Sequence, residues 1–253
     1  MDIEKYLKRI GINQKLKREI SYEFLRELQL AHLYSVPYEN IDIINGVPLD
    51  LDVEKIYEKI VLGRRGGWCF ELNCLFERLL SELGFSTKNY LARFWRGEEG
   101  IPIHRHRVTA AFIDGKTYIS DVGIGSVSTR IPLLLEEGLV QEYFGESYRF
   151  ERHEVFGWIL YELRHGVWER YFSFTEEPHY DADFAAISYF CEHHPASKFN
   201  KSYIVAIKNE AGRKCVDGCI FKEFLGNELV RTEENMSEKR TREVFYKEFG
   251  LKI

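Results

Sequence analysis

The segment that most constrains this chain is a glycine pair followed directly by an amphipathic pattern. Residues 64–73 read Arg-Arg-Gly-Gly-Trp-Cys-Phe-Glu-Leu-Asn, and apolar residues then recur with a helical period up to Leu83. Gly84 follows as a C-terminal stop. The pattern predicts a core helix with Cys69 in its first turn, where unpaired N–H groups, the helix dipole and the two arginines favour a thiolate. The alternative interpretation is that Cys69 is a small buried thiol on a core helix. A base placed near Cys69 would decide between the two interpretations.

Residues 1–84, which include this segment, are predicted to form a helical bundle. One helix is expected from about 15 to 32 with Ile20 facing inward, and Asp52 is expected to cap another. Residues 37–42, which begin with a proline, are predicted to be a polar loop.

Beyond Gly84 the apolar period changes from helical to alternating. Residues 85–177 are predicted to form an antiparallel sheet or barrel, with a two-residue hairpin turn at Asp114-Gly115. Residues 178–253 are predicted to form a helix, strands at 203–208 and 214–221, and a final amphipathic helix. The expected fold is therefore α+β in three parts.

The hairpin predicts which histidine serves Cys69. If Asp114-Gly115 is the turn, His106 and Asp121 become diagonal neighbours on one face of the sheet, within reach of a hydrogen bond. A register slip of one residue would place them on opposite faces. Taken separately, a solvated strand histidine and an exposed strand-end carboxylate are the simpler interpretations. Together with Cys69 they predict a Cys-His-Asp site.

Such a site would accept an acyl group. A thiolate paired with an imidazolium is a strong nucleophile, and a carboxylate on the other ring nitrogen fixes the tautomer. The segment after the aspartate, Val122–Ser126, contains two glycines that would let backbone N–H groups approach an anionic ligand. Simple loop flexibility is the alternative reading of those glycines.

Composition limits which partners and which cellular compartment are expected. The net charge is −5 and no long basic tract is present, which argues against nucleic acid. Five cysteines and a charged opening segment favour a reducing cytoplasm, and no apolar run is long enough to cross a bilayer. Cys215 and Cys219 lack a second ligand pair nearby, so no metal site is predicted.

Several segments resemble the arylamine N-acetyltransferases. Residues 65–73 resemble the nucleophile motif of that family, and His106 with residues 121–125 resembles its His and Asp-x-Gly-Phe-Gly segments. Residues 37–40 resemble its Pro-Phe-Glu-Asn loop, and residues 195–199 its Pro-x-Ser-x-Phe segment. The resemblance spans nearly the whole chain.

The resemblance implies a helical bundle, a central β-barrel and a C-terminal α/β lid around a core like that of papain-type cysteine enzymes, with divisions near residues 84 and 177. It also implies ping-pong transfer: acetyl-CoA acylates Cys69, and an arylamine, hydrazine or arylhydroxylamine then takes the acetyl group on nitrogen or oxygen. His106 would act as base and then acid, Asp121 would hold it, and the Cys69 N–H would stabilise the oxyanion.

Further contacts are predicted on the same basis. The predicted acceptor contacts are Tyr38, Ile103, Ile124 and Phe199, and the predicted CoA contacts are Gly123, Gly125 and Ser126. The sequence departs from the family pattern where Arg105 and Arg107 flank His106, and where Ile124 replaces a phenylalanine common in the family. The arginines would alter acceptor access or place charge on the outer face.

Two other function classes remain open at this point. One is a hydrolase or transglutaminase-like acyltransferase that uses the same three residues on peptides, and the other is a degenerate relative that binds a small ligand without turnover. A thioester formed from acetyl-CoA would separate the first from an acetyltransferase, and an inert Cys69 would favour the second. The natural acceptor and the choice between monomer and homodimer are left undecided.

Overall fold

Polar side chains cap the starts of the N-terminal helices. The computed structural model describes residues 1–12 and 19–253, and the following statements concern that part of the chain. The helices of the first third are α1 (Ile3–Arg9), α2 (Tyr22–Ser35), α3 (Ile41–Ile44), α4 (Val53–Tyr57), which continues as a π-helical turn (Glu58–Leu62), and α5 (Cys69–Glu82). Asp2, Ser21 and Asp52 each accept a hydrogen bond from a backbone N–H in the first turn that follows.

The second helix begins later than predicted. Ser21 Oγ accepts from the Phe24 N–H at 3.2 Å, which fixes the start of α2 at Tyr22. Ile20 therefore precedes the helix and is 47% exposed, instead of facing inward. Residues 15–18 of the predicted helix lie outside the described residues.

The prediction of a polar loop at residues 37–42 is wrong. Tyr38–Glu39 form strand β1, Ile41 begins α3, and residues 37–41 are buried. The polar side chains here are buried because they have partners, as Glu39 and Asn40 show below. Charge alone did not distinguish this buried segment from a surface loop.

The middle of the chain forms an eight-stranded antiparallel sheet. Its strands are β2 (Ser86–Phe94), β3 (His104–Ile113), β4 (Lys116–Ser120), β5 (Leu133–Leu134), β6 (Gln141–Tyr143), β7 (Glu146–His153), β8 (Gly157–Arg164) and β9 (Val167–Phe174), in the order β5-β4-β3-β2-β9-β8-β7-β6. The edges β5 and β6 are joined by the Gln141 side chain, whose amide both accepts from the Leu134 N–H and donates to the Leu134 carbonyl. The sheet is thus a nearly closed barrel.

The last part of the chain adds a helix and a second sheet. Its elements are α6 (Asp181–His193), β10 (Ile204–Lys208), β11 (Gly212–Asp217), β12 (Ile220–Leu225), β13 (Glu228–Glu233) and α7 (Glu238–Phe249), and the sheet order is β1-β10-β11-β12-β13. The single strand predicted at 214–221 is two strands, because Gly218 takes a left-handed φ of 59° and turns the chain back.

Helix α5 lies in the centre of the helical part. It is buried on most of its circumference from Cys69 to Leu80, and it contacts α4, β2, β3 and α6. Gly84 ends it with a φ of 96°, as predicted. A helix enclosed on this many sides has a fixed position relative to the barrel and to α6.

Candidate active site

The N-terminus of α5 is held by backbone contact and by a buried carboxylate. The Trp68 N–H donates to Glu71 Oε2 at 3.1 Å, and the Glu39 N–H donates to the Gly67 carbonyl at 2.8 Å. A Cβ on Gly66 would lie 2.2 Å from the Pro37 carbonyl oxygen, so this approach requires glycine. The glycine pair therefore positions the start of the helix, and Cys69 with it.

A buried ion-pair network supports the same end of the helix. Lys59 Nζ lies 2.8 Å from Glu71 and 2.7 Å from Asp42, and Arg65 lies 2.8 Å from both Glu39 and Asp42. Burial alone would lower the pKa of Lys59, but the surrounding carboxylates raise it to about 12. Arg65 is thus paired with carboxylates, and it does not supply the free positive field near Cys69 that the sequence predicted.

His106 and Asp121 meet in the interior. His106 Nε2 donates to Asp121 Oδ2 at 2.6 Å, and both side chains are buried. The hairpin has the predicted register, with Ile113 paired to Lys116. Within the described part of the chain no hydrogen bond reaches His106 Nδ1, so the second ring nitrogen is free to serve as a base.

Asn73 joins this pair to the nucleophile helix. It lies one turn after Cys69, and its Nδ2 donates to Asp121 Oδ1 at 2.9 Å and to the Arg107 carbonyl, while its Oδ1 accepts from the Val122 N–H at 2.9 Å. The same Asp121 oxygen accepts from the Gly123 N–H at 2.8 Å. These bonds fix the carboxylate in one orientation.

Gly123 packs directly against the helix. A Cβ at this position would lie 2.6 Å from Asn73 Nδ2 and 2.9 Å from Cys69 Cα, which is closer than such atoms can approach. The glycine is therefore required by close packing of the segment after Asp121 against Cys69.

Cys69 is 4% exposed, and its Sγ lies 3.8 Å from the Arg105 carbonyl oxygen. Burial raises the pKa of the Cys69 thiol well above its usual value, and the negative charge of Asp121 acts in the same direction. The Phe70 N–H and the Arg105 guanidinium oppose this shift without overcoming it. This shift opposes the thiolate that the helix start predicts.

Cys69 and His106 line one cavity of about 320 Å³, called the Cys69 cavity below. Its wall is mostly apolar and comes from the barrel and from β10 and β11. Six predicted contact residues line it: Tyr38, Gly123, Ile124, Gly125, Ser126 and Phe199. Ile103 does not line it and is 47% exposed.

Sequence reasoning missed other residues of the site. Asn73 is part of the nucleophile motif, and its position one turn after Cys69 was a usable signal. Arg105 was expected either to alter acceptor access or to place charge on the outer face, and it lines the cavity. Ala206 and Val216 belong to the β10–β11 hairpin, which is attached through the pairing of β10 with the distant β1, and that pairing gives no local signal.

The described ranges 1–12 and 19–253 contain no group of three or more His, Cys, Asp or Glu side chains arranged to hold a metal ion. They also contain no helix with the length and apolar character needed to span a membrane.

Comparison with known proteins gives the family. The sequence profile of the N-acetyltransferase family matches residues 21–253. The arylamine N-acetyltransferase of Mycolicibacterium smegmatis is 33% identical over 219 residues, which cover 84% of this chain and 78% of that protein. This chain belongs to the arylamine N-acetyltransferase family.

Solved arylamine N-acetyltransferase structures share the fold. The enzyme from Salmonella typhimurium superposes with a TM-score of 0.93 at 26% identity, covering 98% of this chain and 90% of that one. The enzyme from Mycobacterium marinum, solved in complex with CoA, superposes with a TM-score of 0.91 at 28% identity, covering 98% and 92%. The predicted α+β fold with a central antiparallel barrel is confirmed.

Proposed function

We propose that this chain transfers an acetyl group from acetyl-CoA to the nitrogen, or oxygen, of an arylamine, hydrazine or arylhydroxylamine through a thioester on Cys69. The observation that carries the proposal is that His106, hydrogen-bonded to the buried Asp121, lines the same mostly apolar cavity as Cys69. Membership of the arylamine N-acetyltransferase family and the CoA complex of the Mycobacterium marinum relative support the choice of donor.

In the first half-reaction His106 Nδ1 takes the Cys69 proton, because Nε2 is occupied by Asp121. Because burial raises the pKa of the thiol, proton transfer to His106 precedes attack. The thiolate adds to the acetyl carbonyl of acetyl-CoA, and the Cys69 N–H, unpaired at the first position of α5, stabilises the oxyanion. The C–S bond to CoA then breaks, and the CoA sulfur takes the proton from His106.

In the second half-reaction the acceptor amine occupies the Cys69 cavity. Its nitrogen attacks the Cys69 thioester while His106 removes a proton from that nitrogen. The Cys69 sulfur then leaves, takes the proton back and regenerates the resting enzyme. Asp121 keeps the imidazole in one tautomer and stabilises its charged form throughout.

The Cys69 cavity suits these substrates in size and polarity. Its volume lies within the range of small-molecule sites, and Tyr38, Ile124 and Phe199 supply apolar surface for an aromatic ring. Gly123, Gly125 and Ser126 also line it, and we assign them to the thioester end of CoA because Gly123 packs against Cys69 and the other two line the same cavity.

The test is intact-protein mass after incubation with acetyl-CoA and no amine. We expect a gain of one acetyl group, lost in Cys69→Ala and retained in Cys219→Ala, which removes an exposed thiol. Addition of an arylamine should then discharge the adduct. An adduct that persists in Cys69→Ala would refute the mechanism, and a reactive Cys69 without any adduct would favour hydrolase chemistry on another acyl donor.

A further inference from the structure

A charged bridge connects the barrel to the second sheet beside the Cys69 cavity. Glu98 lies between β2 and β3, and its Oε1 accepts a hydrogen bond from Arg105 Nη2 and from Lys198 Nζ, each at 2.6 Å. Arg105 belongs to β3, whereas Lys198 belongs to the segment that precedes β10. These three residues, called the Glu98 bridge below, therefore join two parts of the fold that are distant in sequence.

The Glu98 bridge lies along one side of the Cys69 cavity. Arg105 and Phe199 both line the cavity, and Arg105 Cζ lies 5.9 Å from the centre of the Phe199 ring. Both residues are partly exposed, whereas Cys69 and His106 in the same cavity are buried. Arg105 and Phe199 therefore lie nearer to solvent than the reacting groups do, and the bridge holds the guanidinium across that side.

The segment that carries Glu98 is anchored at its two ends. Trp95 Nε1 donates to Ser173 Oγ at 2.8 Å, and the Pro102 carbonyl accepts from Arg93 Nη1 at 2.5 Å. Between these anchors Gly97 takes a left-handed φ of 75°, and no atom lies within 4 Å of the place that a Cβ would take. The segment around this glycine therefore has space to move when the carboxylate releases its partners.

The ion pairs of the bridge are weak enough to open. The Lys198 side chain is 60% exposed, and the side chains of Glu98 and Arg105 are 19% and 15% exposed. Ion pairs that water reaches contribute little net free energy, because solvent screens the charges and two long side chains must be held in one geometry. The bridge therefore opens at a small cost, which suits selection among acceptors without blocking the reaction.

We propose that Glu98 sets the size of the acceptor that reaches Cys69. This inference rests on the proposed acetyl transfer. A single-ring amine fits the cavity of about 320 Å³ while the bridge is closed. An acceptor whose rings extend past Phe199 reaches the thioester only when Glu98 releases Arg105, and its reaction is slowed by the free-energy cost of that step.

The donor has a separate approach to the cavity. Ser126 and Val127 line both this cavity and a second, polar cavity of about 410 Å³, which neither Arg105 nor Phe199 lines. Since Ser126 is assigned to the thioester end of CoA, the rest of that molecule extends along this other side. The bridge should therefore affect the choice of acceptor more than the binding of acetyl-CoA.

The first experiment compares aniline, which has one ring, with 2-aminofluorene, which has three fused rings. The readout is the ratio of kcat/KM for the larger amine to kcat/KM for the smaller one, which in ping-pong transfer reports the second half-reaction alone. In Glu98→Ala we expect this ratio to rise about fivefold, the scale of one partly exposed ion pair. Lys198→Met should also raise it. Glu238→Ala, which removes an exposed ion pair of α7, should leave it unchanged.

Alkylation of Cys69 tests access to the sulfur without any acetyl transfer. Iodoacetamide serves as the small probe and N-(1-pyrenyl)maleimide as the large one, and peptide mass distinguishes Cys69 from the exposed Cys219. In Glu98→Ala the rate with the large probe should rise more than the rate with the small probe, because only the large probe needs the bridge to open.

The outcomes separate the inference from the function on which it rests. An unchanged amine ratio in Glu98→Ala and Lys198→Met would overturn the role of the bridge. An equal rise in both alkylation rates would overturn it as well, since it would indicate general loosening instead of selection by size, and so would a change confined to the KM for acetyl-CoA. Failure of the unmodified protein to acetylate either amine, with size-dependent alkylation intact, would refute the proposed function and leave the control of access to Cys69 standing.

Discussion

At the scale of single residues, Asn73 connects the groups that the proposed reaction uses. One amide reaches the Asp121 carboxylate, the Arg107 carbonyl and the Val122 N–H, and all of these lie in the interior. Its position on α5 fixes the distance between the helix that carries Cys69 and the strand that carries His106. Asn73 is therefore a positioning residue, since it acts through Asp121.

Asn73→Ala should reduce both stability and acetyl transfer. The Val122 N–H and the Arg107 carbonyl would be left buried without this partner, which should lower the free energy of unfolding by about 2 kcal/mol. Acetyl transfer should fall at least about tenfold because Asp121 loses one of the donors that orient it. Urea unfolding and kcat/KM measure the two effects. Asn227→Ala, at an exposed asparagine, is the matched control, and wild-type turnover in Asn73→Ala would contradict this role.

At the scale of elements, a buried histidine ties three helices together. His32 of α2 bonds through Nδ1 to the Tyr6 hydroxyl of α1 at 2.8 Å, and its ring packs edge-on against Phe76 of α5. Burial lowers the pKa of His32 to about 3, and the charge of Arg9 acts in the same direction. The folded protein thus holds this imidazole neutral.

This histidine should make stability depend on pH. Its pKa is about 3 when folded and near 6.5 when unfolded, so below pH 6.5 only the unfolded chain takes up the proton. The stabilisation is present above the unfolded pKa and is lost as the pH falls, by about 2 kcal/mol between pH 7.5 and pH 5. Urea unfolding of His32→Phe should lack this component of the pH dependence. His193→Phe, at an exposed histidine, should keep it, and an equal slope in wild type and His32→Phe would contradict the assignment.

The elements that were predicted well are those with a local signal. The Asp114-Gly115 turn sets the β3–β4 register, and Gly84 ends α5. The start of α2 was misplaced because the capping hydroxyl of Ser21 overrides the apolar period before it.

At the scale of the whole molecule, features that depend on long-range strand pairing were not predicted from the sequence. β1 is a two-residue strand that exists because it pairs with β10, about two thirds of the chain away. The His106–Asp121 hydrogen bond was predictable because the hairpin brings the two residues together locally. The cavity wall from Ala206 and Val216 was not predictable, since it depends on the pairing of β10 with β1.

Asn40 makes several of the hydrogen bonds that connect these distant parts of the chain. Asn40 Nδ2 donates to the carbonyls of Phe199 and Ser202, both at 2.8 Å, and Asn40 Oδ1 accepts from the Ile204 N–H at 2.7 Å. The residue thus joins the segment next to β1 to the segment that precedes β10.

Asn40→Ala should loosen the second sheet from the helical part. The Ile204 N–H loses its acceptor, so hydrogen exchange at Ile204 and Ala206 should accelerate, and the free energy of unfolding should fall by about 2 kcal/mol. Asn200→Ala is the matched control, because its amide bonds only to Glu192 and His194 carbonyls within the same region. Equal exchange at Ile204 in the two variants would show that Asn40 does not hold the sheets together.

The burial of Cys69 also affects how readily its thiol reacts with oxidants. Peroxides and disulfides react with thiolates, and access to the sulfur limits them further. Burial raises the pKa of Cys69 and leaves it 4% exposed, so it is a poorer target than Cys219, which lies on the surface. We therefore expect oxidants to consume the surface thiol first, so that the proposed acetyl transfer outlasts the first oxidative damage to the protein.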